Sequence, residues 1–175
     1  MATRPLYLRH RPDRSEGFPS LPGFGKSAVN TTFCRLAESS FYATPQLTLI
    51  EQILNDRYLG KYFVEIKGRQ NYRCYWDSKV TVDIGLCKRD KNFSCDKFRY
   101  CPYWRQKMLA KKSKIVITSF SYLILEGMIP EDSPVSLGRR ELLVLDESHS
   151  IDRHLIEHVS LTISPYSLGY ICIIG

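Results

Sequence analysis

Two short stretches, one near each end of the sequence, hold the residue types that handle a nucleoside triphosphate. The first is Gly23-Phe24-Gly25-Lys26-Ser27. Glycines let backbone N–H groups approach phosphate oxygens closely, a lysine reaches the β- and γ-phosphates, and a serine hydroxyl helps hold Mg²⁺. The strict form of such a loop has a glycine where Ser20 stands, and serine is at least small. The competing reading is a plain glycine turn that opens a helix. The second stretch is Asp146-Glu147, which follows the aliphatic run Leu142-Leu143-Val144-Leu145 and precedes Ser148-His149. A strand ending there delivers Asp146 to the C-terminal edge of a sheet, where its carboxylate can hold Mg²⁺. Glu147 can orient or deprotonate an attacking water. His149 can couple the pair to neighbouring segments. An ordinary strand end followed by a helix cap is the alternative.

Between these stretches lie Cys74, Cys87, Cys95 and Cys101. Four thiolates can hold Zn²⁺ or an iron–sulfur cluster. Structural zinc sites usually carry a tight Cys-x₂₋₄-Cys knuckle, which is absent here, so the wide spacing suits a [4Fe-4S] cluster better than zinc. Four unrelated cysteines would give the same spacing. Cys34 and Cys172 stand apart and read as small buried hydrophobes.

The same region holds the excess positive charge. Residues 61–114 carry 15 Lys/Arg against 5 Asp/Glu, a net of +10, and the rest of the chain carries 10 against 13, a net of −3, which together give the chain's +7. Ten of the 21 aromatic residues are there too. Cations interleaved with rings suit single-stranded nucleic acid, because phosphates meet Lys/Arg and bases stack on aromatic faces. A solvated basic insertion around a small aromatic core would look alike.

The elements that must position these groups follow from hydrophobic pattern and breakers. The glycine loop at 20–27 opens a helix over 26–38. Residues 41–44 form a short strand, and Pro45 starts a helix with Leu47, Leu49, Ile50, Ile53 and Leu54 near one face. After the basic segment come a buried strand at 114–118, a short helix at 120–126 and a loop at 130–140. Another buried strand follows at 142–145, then a helix at 151–158 and a strand at 159–163. Strands alternating with helices imply a parallel sheet covered on both faces, hence an α/β fold. Residues 1–19, with four arginines and three prolines, read as an irregular start, and 15–19 make no convincing strand ahead of the loop.

With 175 residues and 43% hydrophobic content the chain can bury a real core. No apolar run approaches the roughly 18 residues of a membrane span, and no signal peptide is visible. A cytoplasmic setting, or a nuclear one in a eukaryote, is therefore expected, and cysteines there are mostly reduced, metal-bound or catalytic.

The order of these pieces resembles the XPD/DinG family of superfamily 2 DNA helicases over about residues 20–163. The phosphate loop is followed by Tyr42-Ala43-Thr44-Pro45-Gln46-Leu47-Thr48-Leu49 and then Gly68-Arg69-Gln70-Asn71-Tyr72-Arg73-Cys74. The last of the four cysteines lies in Cys101-Pro102-Tyr103-Trp104, ahead of Ile117-Thr118-Ser119-Phe120-Ser121-Tyr122-Leu123. The family's Asp-Glu-Ala-His appears as Asp146-Glu147-Ser148-His149. The resemblance implies a RecA-like P-loop domain with a parallel sheet, built from 20–60 and 115–175, with a small four-cysteine iron–sulfur domain inserted at 61–114. It implies that Ser20, Gly23, Phe24, Gly25, Lys26 and Ser27 bind ATP and that Ser27 and Asp146 hold Mg²⁺. Lys26, Asp146 and Glu147 would serve catalysis. Cys74, Cys87, Cys95 and Cys101 would ligate the cluster, and Thr44, Pro45 and Gln46 would face the DNA strand. Single-stranded DNA or a forked duplex is the expected partner. Such helicases close ATP between two RecA-like domains, and the second is expected to be missing from a chain that stops at Gly175. The expectation is thus an incomplete motor that binds ATP with negligible unwinding. A non-catalytic nucleic-acid-binding module with a four-cysteine metal site is the alternative, and a metal-stabilised nucleotide-binding protein with no nucleic acid is a third.

Overall fold

The computed structural model describes residues 25–90, 92–95 and 98–159. Ser20, Gly23 and Phe24 of the glycine loop, the irregular start at 1–19 and Cys172 lie outside them. So does the strand expected at 159–163, apart from Val159, which ends a helix.

Among the described residues four strands, β1 (Ser40–Thr44), β2 (Val64–Glu65), β3 (Ile115–Ser119) and β4 (Leu142–Leu145), make one sheet in the order β2-β3-β1-β4. Every pairing is parallel. Parallel neighbours need crossovers, and helices supply them. Six α-helices lie among the described residues: α1 (Lys26–Leu36), α2 (Leu47–Asn55), α3 (Leu86–Arg89), α4 (Pro102–Lys112), α5 (Phe120–Gly127) and α6 (Ile151–Val159). An α/β sheet of this kind is compatible with a RecA-like domain. β1 is paired on both edges and buried at all five positions, so its short run Ser-Phe-Tyr-Ala-Thr is the centre of the sheet.

Side chains alternate across a strand, and here the alternation separates two cores. On one face Phe41 and Val116 join Ile66, Val82, Tyr103, Ala110, Tyr122 and Leu137. On the other, Tyr42, Ile115 and Ile117 join Cys34 of α1, Ile50 and Ile53 of α2, and Phe63. Fully burying one such aliphatic side chain stabilises the fold by about 1.5–3 kcal/mol. Both faces of the interior strands β1 and β3 are therefore largely dry. By contrast β4, expected from its aliphatic run to be buried, is an edge strand among the described residues, with Leu143 49% exposed.

The predicted elements agree with the fold except at their ends and in the basic segment. α1 stops at Leu36 because Ala37 is extended, and α2 starts at Leu47 because Gln46 is extended, leaving Pro45 in the bend before it. The strand β2 carries no sequence signal, being only two residues long between turns, yet it pairs with Val116 and Ile117. The segment 61–114 accordingly shares a core with the sheet. Its Ile66 is fully buried, its Val82 is nearly so, and α4 packs Tyr103 and Ala110 into the same cluster as Phe41.

Polar ties fasten that packing. Lys107 of α4 and Glu126 of α5 form a buried ion pair at 2.8 Å, and Glu126 also accepts the Leu137 backbone N–H at 2.6 Å. Beside them the Tyr103 and Tyr122 hydroxyls lie 3.3 Å apart, and burial followed by its tyrosine neighbour pushes the Tyr122 phenol far above its usual pKa. Arg140 donates to the carbonyls of Ala110, Ser113 and Lys114, closing the turn between α4 and β3. Neither Lys107 nor Arg140 stands out in the sequence, since both sit among many exposed cations.

Candidate nucleotide and nucleic-acid site

Lys26 is the first residue of α1, directly after Gly25. Gly25 has φ +61°, a left-handed conformation that costs glycine little and other residues about 1–2 kcal/mol. The first backbone N–H groups of a helix have no internal partner, so this end presents donors and positive charge to an anion. Ala28 and Val29 N–H bond back to the Gly25 carbonyl at 2.9 and 3.1 Å, which ties the turn to the helix.

The acidic pair reaches the same place from the other end of the chain. β4 pairs with β1 in register, and the Asp146 N–H donates to Ala43 O at 2.9 Å just beyond it. Glu147 has φ +54°, the one left-handed non-glycine among the described residues. Such strain collects at functional sites. The turn points Glu147 back across the sheet end, where its Oε1 accepts from Lys26 Nζ at 3.0 Å. His149 Nδ1 lies 3.4 Å from its other oxygen.

Tyr42 is a candidate site residue that the sequence reading missed. Its hydroxyl donates to Asp146 Oδ2 at 2.9 Å. Burial pushes this phenol far above its usual pKa, the Asp146 carboxylate adds to the rise, and Asn30 and Ser27 oppose it. The signal was a hydroxyl-bearing ring in the strand beside the aliphatic run, but only the register of Tyr42 opposite Val144 reveals its aim. Ser27 and Asp146 line one small cavity of about 150 Å³ with Leu49, Gln52, Ile53 and Asp56. A hydroxyl and a carboxylate sharing a cavity beside a lysine at a helix N-terminus are a fitting donor set for Mg²⁺ and triphosphate oxygens.

Tyr42→Phe removes the donor that orients Asp146 without opening a cavity. The Mg²⁺ concentration for half-maximal nucleotide binding is expected to rise roughly 10-fold. Titrating Mg²⁺ against a fluorescent ATP analogue checks this, and an unchanged midpoint would show that Asp146 needs no such support.

Thr44, Pro45 and Gln46 have separate fates. Thr44 is fully buried and donates its hydroxyl to the Gln46 carbonyl at 2.9 Å, so it shapes the bend ahead of α2. Pro45 and Gln46 line an open cleft of about 450 Å³ together with Glu147, His149, Asp152 and His154. That cleft adjoins the acidic pair, so an occupant there would sit within reach of Glu147.

The four central cysteines do not assemble. Cys74 lies beside Gly85, where an added Cβ would stand 3.4 Å from its sulfur, and Cys87 is exposed on the four-residue α3. Cys95 and Cys101 are half-buried, with Cys101 against the core at the start of α4. Among the described residues no three Cys, His, Asp or Glu side chains gather as a metal site. The donor set for a cluster or for zinc is therefore not formed in this structure, and no chemical step is derived through either. Cys34 is buried in the core, as expected of a small hydrophobe, and burial raises its thiol pKa against an opposing Ser40.

The rings of the basic segment are partly on display. Tyr75 and Tyr100 stack at 5.4 Å with 23° between their planes, and each is more than half exposed. Trp76 meets Phe93 edge-on at 5.9 Å. Among the described residues no helix is long and apolar enough to cross a membrane.

The sequence pattern of the DEAD_2 family matches residues 61–168. No curated protein matches the chain.

Proposed function

Because the chain belongs to the DEAD_2 family, a domain family of the XPD/DinG helicases in superfamily 2, we propose that it binds and hydrolyses ATP in response to single-stranded DNA. The family supports a helicase-type, nucleic-acid-related function with nucleotide binding. The observation that carries the finer reading is the 3.0 Å contact between Lys26 and Glu147, which joins the two ends of the sequence at one sheet edge.

In this reading the N-terminus of α1 and Lys26 receive the phosphate oxygens, and Ser27 and Asp146 hold Mg²⁺, which neutralises phosphate charge. Tyr42 keeps the Asp146 carboxylate turned toward Ser27. Glu147 is paired to Lys26 while no phosphate competes for the lysine. Once phosphate oxygens draw Lys26 away, Glu147 is free to accept a proton from the attacking water. Pro45 and Gln46 border the cleft beside Glu147, a route by which a bound strand can bear on hydrolysis. Hydrolysis of ATP by the whole chain, measured with and without oligo(dT) and Mg²⁺, tests the reading. Stimulation by the oligonucleotide supports it, and strand binding with no hydrolysis would leave the non-catalytic module instead.

Strand binding itself has a specific expectation. Bases stack on the exposed Tyr75–Tyr100 pair, while lysines and arginines of 61–114 meet phosphates. Tyr75→Ala with Tyr100→Ala is expected to weaken oligo(dT) binding by about 1–3 kcal/mol per base lost from the stack. The slope of log affinity against log salt should stay that of the parent, because no cation is removed. Fluorescence anisotropy across a salt series checks both. Affinity unchanged in the double variant would move the strand elsewhere on the basic segment.

A further inference from the structure

One face of α4 is used by the core and the opposite face is not. Tyr103, Lys107 and Ala110 point inward and are buried. Arg105, Met108, Leu109 and Lys112 follow one another at helical spacing on the outer face, and all four are exposed, Leu109 by 58%. With Arg99 and Trp104 they line an open groove of about 370 Å³. Its stripe runs about 10 Å along the helix, from one cation through two aliphatics to another.

Helix α4 contains no acidic residue, and among the described residues no ion pair engages Arg99, Arg105 or Lys112. An aliphatic floor with an all-cationic rim is complementary to a surface with the opposite rim and the same kind of floor. Nucleic acid meets only half of that demand. Its phosphates suit the rim, but bases stack on flat rings, and Met108 and Leu109 offer none. Trp104 itself meets Tyr103 edge-on at 5.4 Å, with Arg69 lying 5.9 Å from its ring. Methionine adapts its shape to varied apolar partners.

We propose that this groove on α4 docks an acidic amphipathic helix of a partner protein, with leucine-type side chains on Met108, Leu109 and Trp104 and carboxylates on Arg99, Arg105 and Lys112. Helix-in-groove recognition reads apolar anchors of the docking helix at i, i+3, i+4 and i+7, and Trp104, Met108 and Leu109 supply the apolar floor that receives them. The rim charges select the sign of the partner and speed its arrival, while the floor holds it.

The test uses the whole chain and a labelled helical peptide with leucines at that spacing and flanking glutamates. A second peptide carries lysines in place of the glutamates. The acidic peptide is expected to bind and the basic one not. Leu109→Glu should weaken the acidic peptide about 10-fold or more, the loss of one well-packed anchor. Arg105→Glu with Lys112→Glu should reverse the preference between the peptides. These residues are exposed, so circular dichroism and the thermal midpoint should match the parent. Failure of the acidic peptide to bind, or equal binding to the Leu109→Glu chain, overturns the proposal. So does a loss of oligo(dT) affinity in the same variants together with displacement of the peptide by oligo(dT), which would make the groove part of the nucleic-acid path.

Discussion

Lys26→Ala is expected to lower oligo(dT)-stimulated ATP hydrolysis by about 10²–10³-fold, the cost of removing one charge that stabilises a transferring phosphoryl group. The fold should not notice. Lys26 and Glu147 are 45% and 35% exposed, so water screens their pair and its loss costs about 0–1 kcal/mol at most. A rate loss of that size with unchanged thermal stability therefore reports chemistry rather than unfolding. Glu147→Gln gives the complementary result. Glutamine keeps the shape and the bond from Lys26 but accepts no proton, so kcat falls while KM stays near that of the parent. Lys26→Ala should move both, because the lysine meets phosphate in the ground state and in the transition state. Parental hydrolysis in Lys26→Ala would return Gly25 and Lys26 to a plain helix-opening turn.

The second large effect lies away from the site. Lys107→Ala is expected to destabilise the chain by about 3–5 kcal/mol, because it leaves the Glu126 carboxylate buried without its partner. The two side chains are 2% and 7% exposed. Glu126 still accepts the Leu137 N–H, which holds the loop after α5, so its loss of poise should spread to that loop. Replacing both at once, Lys107→Met with Glu126→Gln, removes both charges and keeps most of the volume, and should recover much of the loss. Urea unfolding of the parent, the single and the double variants measures this. A single-variant cost under about 1 kcal/mol would mean that water reaches the pair and that α4 is held by its apolar face alone.

Much of the fold was legible because its signals are local. The aliphatic run at 142–145, the breakers at 130–140 and the apolar spacing after Pro45 each specify an element from neighbouring residues, and the structure differs only by a residue or two at the ends. What escaped was set by distance. β2 is two residues long and exists because β3 offers it an edge, so no window of sequence contains its cause. Lys107 looked like one more surface cation among fifteen in a basic segment, and it is buried because α4 turns that position toward Glu126 of another helix. The segment 61–114 read as a unit by charge, yet its apolar residues complete the core over β1 and β3.

The candidate site divides in the same way. The sequence by itself determined the chemical inventory: a lysine and a serine at a helix start, an acidic pair at a strand end, four cysteines, and a basic segment rich in rings. Those follow from residue types and short spacings. The tertiary structure decided which of them meet. Parallel pairing of β4 with β1 brings Glu147 to Lys26 and sets Asp146 under the Tyr42 hydroxyl, while the same packing leaves the cysteines apart and turns one face of α4 outward. Strand register and helix rotation are collective properties of the closed core, so the aim of each side chain is not written in its neighbours.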